Sequence, residues 1–451
     1  MASKKILPNP AFEPADLVTE EYISEVLAPA PDSSAAAGGE PTTRVSAWFM
    51  VVYAFTNFSM CLGIFMPSLF SLAYKAQLLW PDTKAEVLSV VVGVSAIFGL
   101  VLGPIVGVMS DRTRLRWGRR RPYLVAGVLL SGVGSLIIFV ADSVPVMVVG
   151  ACLGTVAICL VGTAVGVVIA ENVPEVQRGK IGALAGVSGQ LAGVGAFLGG
   201  SMLTGNLLLL FLAPTIVIAM ASVLFLFTVP DRPADLEKST AHPGIIGVLR
   251  DLVFDPRKHR DFSLVWLGKF LLTIGIQFYA TYQFFFLLDR LGLTPEDAGA
   301  KMALLGGLSL LVTMGGAIGS GFLSDRLHRR KPFIYAAVIL VAGGLLLMAF
   351  STSFEVFAAA GLVLTLGIGI FSTVDVALAG DLLPDKENGA SRWMSIYWIS
   401  ANLPTAIAPV VAPAILLIGS TKADNYTVLY IFAALAALGA LISTKAVRSV
   451  R

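Results

Sequence analysis

Ser110-Asp-Arg-Thr-Arg-Leu-Arg-Trp-Gly-Arg-Arg-Arg121 separates two long apolar runs of this chain. A shorter copy, Ser324-Asp-Arg-Leu-His-Arg-Arg-Lys331, separates two more in the second half. A cluster of lysine and arginine between apolar helices fixes which side of a membrane the loop occupies. Its recurrence predicts a chain made of two related halves.

The copies are in register. Gly107-Val-Met-Ser-Asp-Arg112 matches Gly321-Phe-Leu-Ser-Asp-Arg326 at an offset of 214. Arg119-Arg-Arg-Pro-Tyr123 matches Arg329-Arg-Lys-Pro-Phe333 at 210, because the second loop is four residues shorter. Glu171-Asn-Val-Pro-Glu175 matches Asp381-Leu-Leu-Pro-Asp385, again at 210. Around these motifs lie twelve apolar runs, near 46–74, 85–109, 123–141, 144–170, 180–203, 206–229, 262–288, 298–323, 332–350, 354–380, 393–418 and 426–445. Crossing a hydrocarbon core of about 30 Å takes roughly 20 helical residues. Lipid leaves only helices or closed barrels as spanning structures, and these runs lack the alternation of barrel strands. The predicted fold class is therefore all-α, with twelve transmembrane helices in two pseudo-symmetric six-helix bundles. The expected divisions are an acidic, mostly disordered tail over 1–44, a first bundle over 45–229, a linker over 230–261 and a second bundle over 262–451.

Composition agrees with a membrane class. Of 451 residues, 56% are hydrophobic and 14% charged, against about 25% charged in soluble domains. The 45 glycines suit close packing of membrane helices. Cys61, Cys152 and Cys159 fall inside apolar runs, which makes neither a disulfide framework nor a metal site. His242, His259 and His328 all lie in polar loops, so no histidine relay is expected in the membrane. No metal, cofactor or nucleic acid is expected as a partner, and no nucleotide-binding loop or nucleophile–base pair points to an enzyme. The tail carries Glu13, Asp16, Glu20, Glu21, Glu25, Asp32 and Glu40 and lacks the pattern of a signal peptide. With the N-terminus inside, 26 lysines and arginines fall on the cytoplasmic side and 5 on the outer side. Both termini are therefore expected in the cytoplasm, in an inner or plasma membrane.

The loop motif Gly107-x-x-Ser-Asp-Arg-x-x-x-x-x-Gly-Arg-Arg-Arg-Pro122, with two six-helix halves, resembles the major facilitator superfamily. Within it, the loop is similar to that of the glycoside–pentoside–hexuronide symporters, the plant sucrose transporters and their animal relatives. The resemblance implies a gate at the cytoplasmic surface. Asp111 would face the N-terminus of the eleventh helix, and Asp325 the start of the fifth, each only when that side is closed. A helix N-terminus carries roughly half a positive charge, so these contacts bias the state of the protein. Gly107, Gly118 and Gly321 belong to the same motif. Arg326 belongs to the second copy of the motif, and Arg112, Arg119, Arg120 and Arg121 either pair with Glu171, Glu175, Asp381 and Asp385, or hold the topology and bind anionic lipid heads.

In that fold helices one, four, seven and ten line a central cavity. Two charges lie within such helices: Lys269 in the seventh and Asp375 in the tenth. Mid-membrane charge costs about 2.5–3.5 kcal/mol on insertion scales. Their similar depth predicts an ion pair and a proton-coupling role. The other readings are a snorkelling lysine and a carboxylate in a watery vestibule. Tyr53, Asn57, Gln190, Gln277, Tyr279, Tyr282, Gln283 and Asn402 are the candidate substrate-binding residues, since aromatic faces and amides suit a sugar. The competing role for each is helix-to-helix hydrogen bonding. One departure stands out. The sucrose transporters carry charge within the fourth helix, whereas Val144 to Ala170 has none.

The expected function is alternating-access transport, with a sugar or glycoside moving beside a proton or another cation, in a monomer surrounded by membrane lipid. The rival expectations are proton-antiport efflux of an amphipathic metabolite or drug, and a non-transporting assembly or receptor protein on the same fold.

Overall fold

The computed structural model describes residues 44–112, 120–229, 254–327, 329–384, 390–419 and 424–447. Among them, twelve helices are long and apolar enough to cross a membrane. We number them in chain order. The first half holds α1 (Ala47–Leu79), α2 (Lys84–Arg112), α3 (Arg121–Val140), α4 (Val144–Asn172), α5 (Glu175–Met202) and α6 (Leu207–Thr228). The second holds α7 (Arg260–Asp289), α8 (Pro295–Leu327), α9 (Lys331–Ala349), α10 (Phe354–Asp381), α11 (Ala390–Leu416) and α12 (Tyr426–Ala446).

Local chemistry sets their ends. Ser46, Asn206, Ser353 and Asn425 each accept from a backbone N–H in the first turn of α1, α6, α10 and α12, which satisfies one of the orphan donors there. The Arg-Pro and Lys-Pro pairs of the repeated loop put a proline in the first turn of α3 and of α9, where its missing N–H costs nothing. Inside α1, Pro67 removes a donor and the ladder loosens into a π-helical turn over Pro67–Ser71. That turn swings Phe70 against Gly200 of α5.

The helices pack by one rule used twice. In the first half α1 packs on α5 and α6, α4 on α2 and α3, and α3 on α6. In the second half α7 packs on α11 and α12, α10 on α8 and α9, and α9 on α12. Adding six to each label maps one set onto the other. The halves meet through α2 with α11 and α5 with α8, which exchange under the same operation.

Contact between the halves is concentrated at the end away from the basic loops. A Cβ on Gly299 of α8 would stand 2.6 Å from Ser201 and 2.9 Å from Phe70, and one on Gly93 of α2 would stand 2.5 Å from Val410 of α11. Phe70 and Phe284 have ring centroids 4.8 Å apart. Toward the basic loops the halves separate: a Cβ on Gly103 or Gly107 of α2, on Gly179, Gly182 or Gly186 of α5, or on Gly315 or Gly319 of α8 would meet nothing within 4 Å among the described residues. Among the described residues, the halves meet at the far end and stand apart at the basic end.

Candidate transport site

Lys269 and Asp375 meet in the second half. The Lys269 Nζ lies 3.0 Å from Asp375 Oδ2, with both side chains almost fully buried. Tyr397 of α11 donates its hydroxyl to the other carboxylate oxygen, Oδ1. The ammonium sits 4.1 Å from the centroid of the Tyr397 ring and 4.6 Å from that of Trp398. Lys269 is about 13 Å along α7 from Arg260, at roughly 1.5 Å rise per residue. The snorkelling reading is therefore corrected: the ammonium points into the bundle, because a carboxylate and two rings offer it more than a long reach to water. The vestibule reading of Asp375 is corrected likewise, since the residue is only 3% exposed.

α11 carries this cluster to the opening. The helix lies between α7 and α2. Its Ala406 and Val410 face Gly93 of α2, while Tyr397 reaches back to α10. At 100° per residue, Trp398 and Asn402 fall between these two directions. Both are exposed, and the polar Ser395 and Thr405 share their arc of α11, which marks that arc as the side toward the space between the halves. On α5, Val194 touches Gly306 of α8. Gln190, one turn nearer the basic end on that face, is exposed. Gln190, Asn402 and Trp398 thus border the open space, with the ion pair directly behind Trp398.

The other candidates are placed differently. Asn57 donates to the Ala185 carbonyl at 3.0 Å and the Ser188 hydroxyl at 2.8 Å, tying α1 to α5. Tyr53 is buried in the core of the first half. Tyr279 packs at a tilt against Phe357 and Tyr430 inside the second half. Gln283 is buried and donates to the Ala280 carbonyl of its own helix. Gln277 is half-buried on α7. Tyr282 plugs the far end instead of lining the opening: its hydroxyl lies 3.4 Å from the Ala85 carbonyl of α2 and 3.3 Å from that of Pro409. Pro413 has no N–H to give the Pro409 carbonyl, which leaves that oxygen available.

At the basic end, Gly118 and Arg119 lie outside the described residues, and so do the side chains of Asp111, Arg112 and Glu171. Asp325 and Arg326 are exposed at the end of α8. Gly321 of α8 comes within 3.1 Å of Thr373 of α10, measured from a built Cβ. Asp381 pairs with Arg330 of its own half, Nε to Oδ2 at 3.2 Å. Arg120, which matches Arg330 in the repeat, is buried. Arg121 is exposed and shares a small cleft with Phe225 and Val229.

Three groups escaped sequence reasoning. Lys75 reads as a loop charge, yet it is buried and donates to the Phe139 carbonyl at 2.7 Å and to that of Ile138, capping the C-terminus of α3. Lys84 of α2 pairs with Asp289 of α7 across the halves; Gln77 accepts from Lys84 at 2.7 Å and Tyr426 donates to Asp289 at 2.6 Å. Trp398 could have been found from its place one turn before Asn402.

A family model described as the Major Facilitator Superfamily matches residues 47–391 and 316–449. Solute carrier family 45 member 4 of Homo sapiens is 31% identical over 180 residues, covering 34% of this chain and 23% of that protein. The match therefore takes in about a quarter of that relative's length. A "Probable 4-methylmuconolactone transporter" of Cupriavidus pinatubonensis is 28% identical over 161 residues, 36% of each chain. Among solved structures, a point mutant of the nucleoside transporter NupG superposes with a TM-score of 0.71 at 10% identity, over 88% of this chain and 99% of that one. A D-xylose–proton symporter gives 0.65 at 18% identity, over 89% and 98%. At these identities the structural likeness concerns the fold.

Proposed function

We propose that this chain, which belongs to the major facilitator superfamily, moves a sugar or glycoside together with a proton. It is a secondary transporter of a small molecule, carried in a membrane by twelve helices. The observation that carries the finer reading is the Lys269–Asp375–Tyr397 cluster beside the opening. Burial penalises the carboxylate's charge, the ammonium stabilises it, and any rocking of α7 against α10 and α11 changes that balance. A group whose proton affinity follows the state of the protein is what coupling requires. Gln190 and Asn402 would meet hydroxyls of the solute from opposite sides of the opening, and Gln277 from α7.

The loop reading supplies the cycle. The basic loops and both termini face the cytoplasm, so the closed far end is the outer face and the conformation here is inward-open. Closure would bring Asp111 to the start of α11 and Asp325 to the start of α5, each a charge–dipole contact. Lys84–Asp289 and the Tyr282 plug would part in the same step.

The test is uptake into vesicles under an imposed pH gradient, screened over sucrose, simple glucosides and amphipathic dyes. Accumulation of a sugar or glucoside that collapses with a protonophore supports the proposal. Extrusion of dyes with no sugar uptake would replace it with the efflux reading. A C-terminal reporter that fluoresces only in the cytoplasm should be bright; a dark one would reverse the orientation.

A further inference from the structure

The open face of Trp398 has no role in the coupling just described. One face of its indole lies over the Lys269 ammonium, 4.6 Å from the ring centroid. The residue is nevertheless 49% exposed, so the ring is not buried by that contact. A large aromatic bared to an aqueous opening loses the benefit of burial. The backbone beside the ring is fixed: Tyr397, next in the chain, is tied to Asp375, and the Trp266 indole N–H donates to the Ile396 carbonyl at 2.9 Å. Asn402, one turn away on the same face, is exposed beside it. An aromatic plane on a fixed backbone, with an amide at its edge, is the combination that receives a ring with an apolar face and a polar rim.

We propose that the exposed face of Trp398 is the platform on which the ring of the transported solute stacks, with Asn402 holding its hydroxyls. The proposal rests on the glycoside reading above. It adds that the solute sits one indole thickness from the Lys269–Asp375 pair. Solute binding and the ion pair then share a side chain, and neither can shift without pressing on the other.

The probe is 4-nitrophenyl β-D-glucopyranoside, whose nitrophenyl group quenches a nearby indole. With the purified full chain, quenching of tryptophan emission should saturate as the glucoside is added, and sucrose should compete it away. Trp398→Phe should remove most of the saturable quench, while Trp80→Phe at the far end should keep it. In vesicles, Trp398→Phe retains a ring and should stay within about threefold of the wild-type half-saturation, whereas Trp398→Leu should raise it about five- to tenfold with the maximal rate largely kept. A full saturable quench in Trp398→Phe overturns the proposal. So does a Trp398→Leu protein with unchanged half-saturation but an altered pH dependence, which would make the ring only a prop for Lys269. If the wild type neither binds nor accumulates any glucoside, the glycoside reading fails and the platform with it; wild-type glucoside uptake indifferent to Trp398 sinks the platform alone.

Discussion

The two halves share a packing plan and differ in chemistry. Every helix pair that packs in the first half has its counterpart in the second, down to the proline that starts α3 and α9. Yet the repeat offset of 210 that pairs Glu171 with Asp381 places Val165 opposite Asp375. Val165 is buried among apolar neighbours of the first half, while Asp375 is buried with a lysine and a tyrosine. A scaffold needs only matched shapes, so duplication preserves it on both sides. A buried charge must have its partners delivered by other helices, and here only α7 and α11 deliver them. On the proposed coupling reading, the first half serves as a wall and the second holds the ionic machinery.

Breaking that machinery should give the largest effect. Asp375→Ala leaves the Lys269 ammonium buried with only rings for company, and loss of one partner of a buried pair costs about 3–5 kcal/mol. Thermal unfolding in detergent should show a clear loss of stability, and Lys269→Met added to Asp375→Ala should restore much of it. Asp375→Asn, close in shape, should fold but lose gradient-driven accumulation while still exchanging solute down its own gradient. Full accumulation with normal proton stoichiometry in Asp375→Asn would move the coupling site elsewhere.

Copying the carboxylate into the first half tests the asymmetry directly. Val165→Asp should cost roughly 2.5–3.5 kcal/mol or lower the yield of folded protein, because Ser59 of α1 and Val187 of α5, which match Lys269 and Tyr397 at the same offset, bring no cation to meet it. A well-folded Val165→Asp protein would mean that the first half also offers buried polar partners, and the comparison would fail.

The far end offers a smaller effect. Lys84 and Asp289 are partly exposed, with side chains 12% and 28% accessible, so screening limits the pair to about 1 kcal/mol or less. Lys84→Ala should loosen the closed far end and make a cysteine placed on α7 above Gln277 more reactive from that side. No change in reactivity would leave closure there to Tyr282 and the Phe70–Phe284 contact alone.

Much of this was legible because membrane segments obey coarse rules. Apolar length located the twelve helices to within a few residues, and three motif matches revealed the repeat. The Lys269–Asp375 pair was readable because two charges in apolar helices at similar depth have few ways to be satisfied. The substrate residues were less readable. Tyr279, Tyr282 and Asn57 sit on cavity helices, but periodicity does not say which face of a helix meets the cavity and which meets its neighbours. Tyr282 went to the far end because Pro413 leaves a carbonyl without a donor, a consequence of three-dimensional packing. Lys75 and Lys84 read as topology charges; what they touch depends on how α3 and α7 end, which no local pattern encodes.

The smallest effect falls on the basic end, and it has a sign that tests the whole cycle. Asp325 is exposed in this open state, so removing its charge should leave this state's energy nearly unchanged. The contact expected on closure, with the N-terminus of α5, would be worth about 0.3–1 kcal/mol. Asp325→Asn should therefore disfavour only the closed form and shift the population toward the conformation described here, by about two- to fivefold for that energy. Lys84→Ala acts on the opposite state and should shift it the other way. Cysteine accessibility read from both sides should rise at the basic end in Asp325→Asn, rise at the far end in Lys84→Ala, and return toward the wild-type pattern in the double variant. Asp111→Asn, its repeat partner, should repeat the Asp325→Asn result. If Asp325→Asn instead raises accessibility at the far end, the aspartate supports the open state, and the two ends are not alternating gates of one movement.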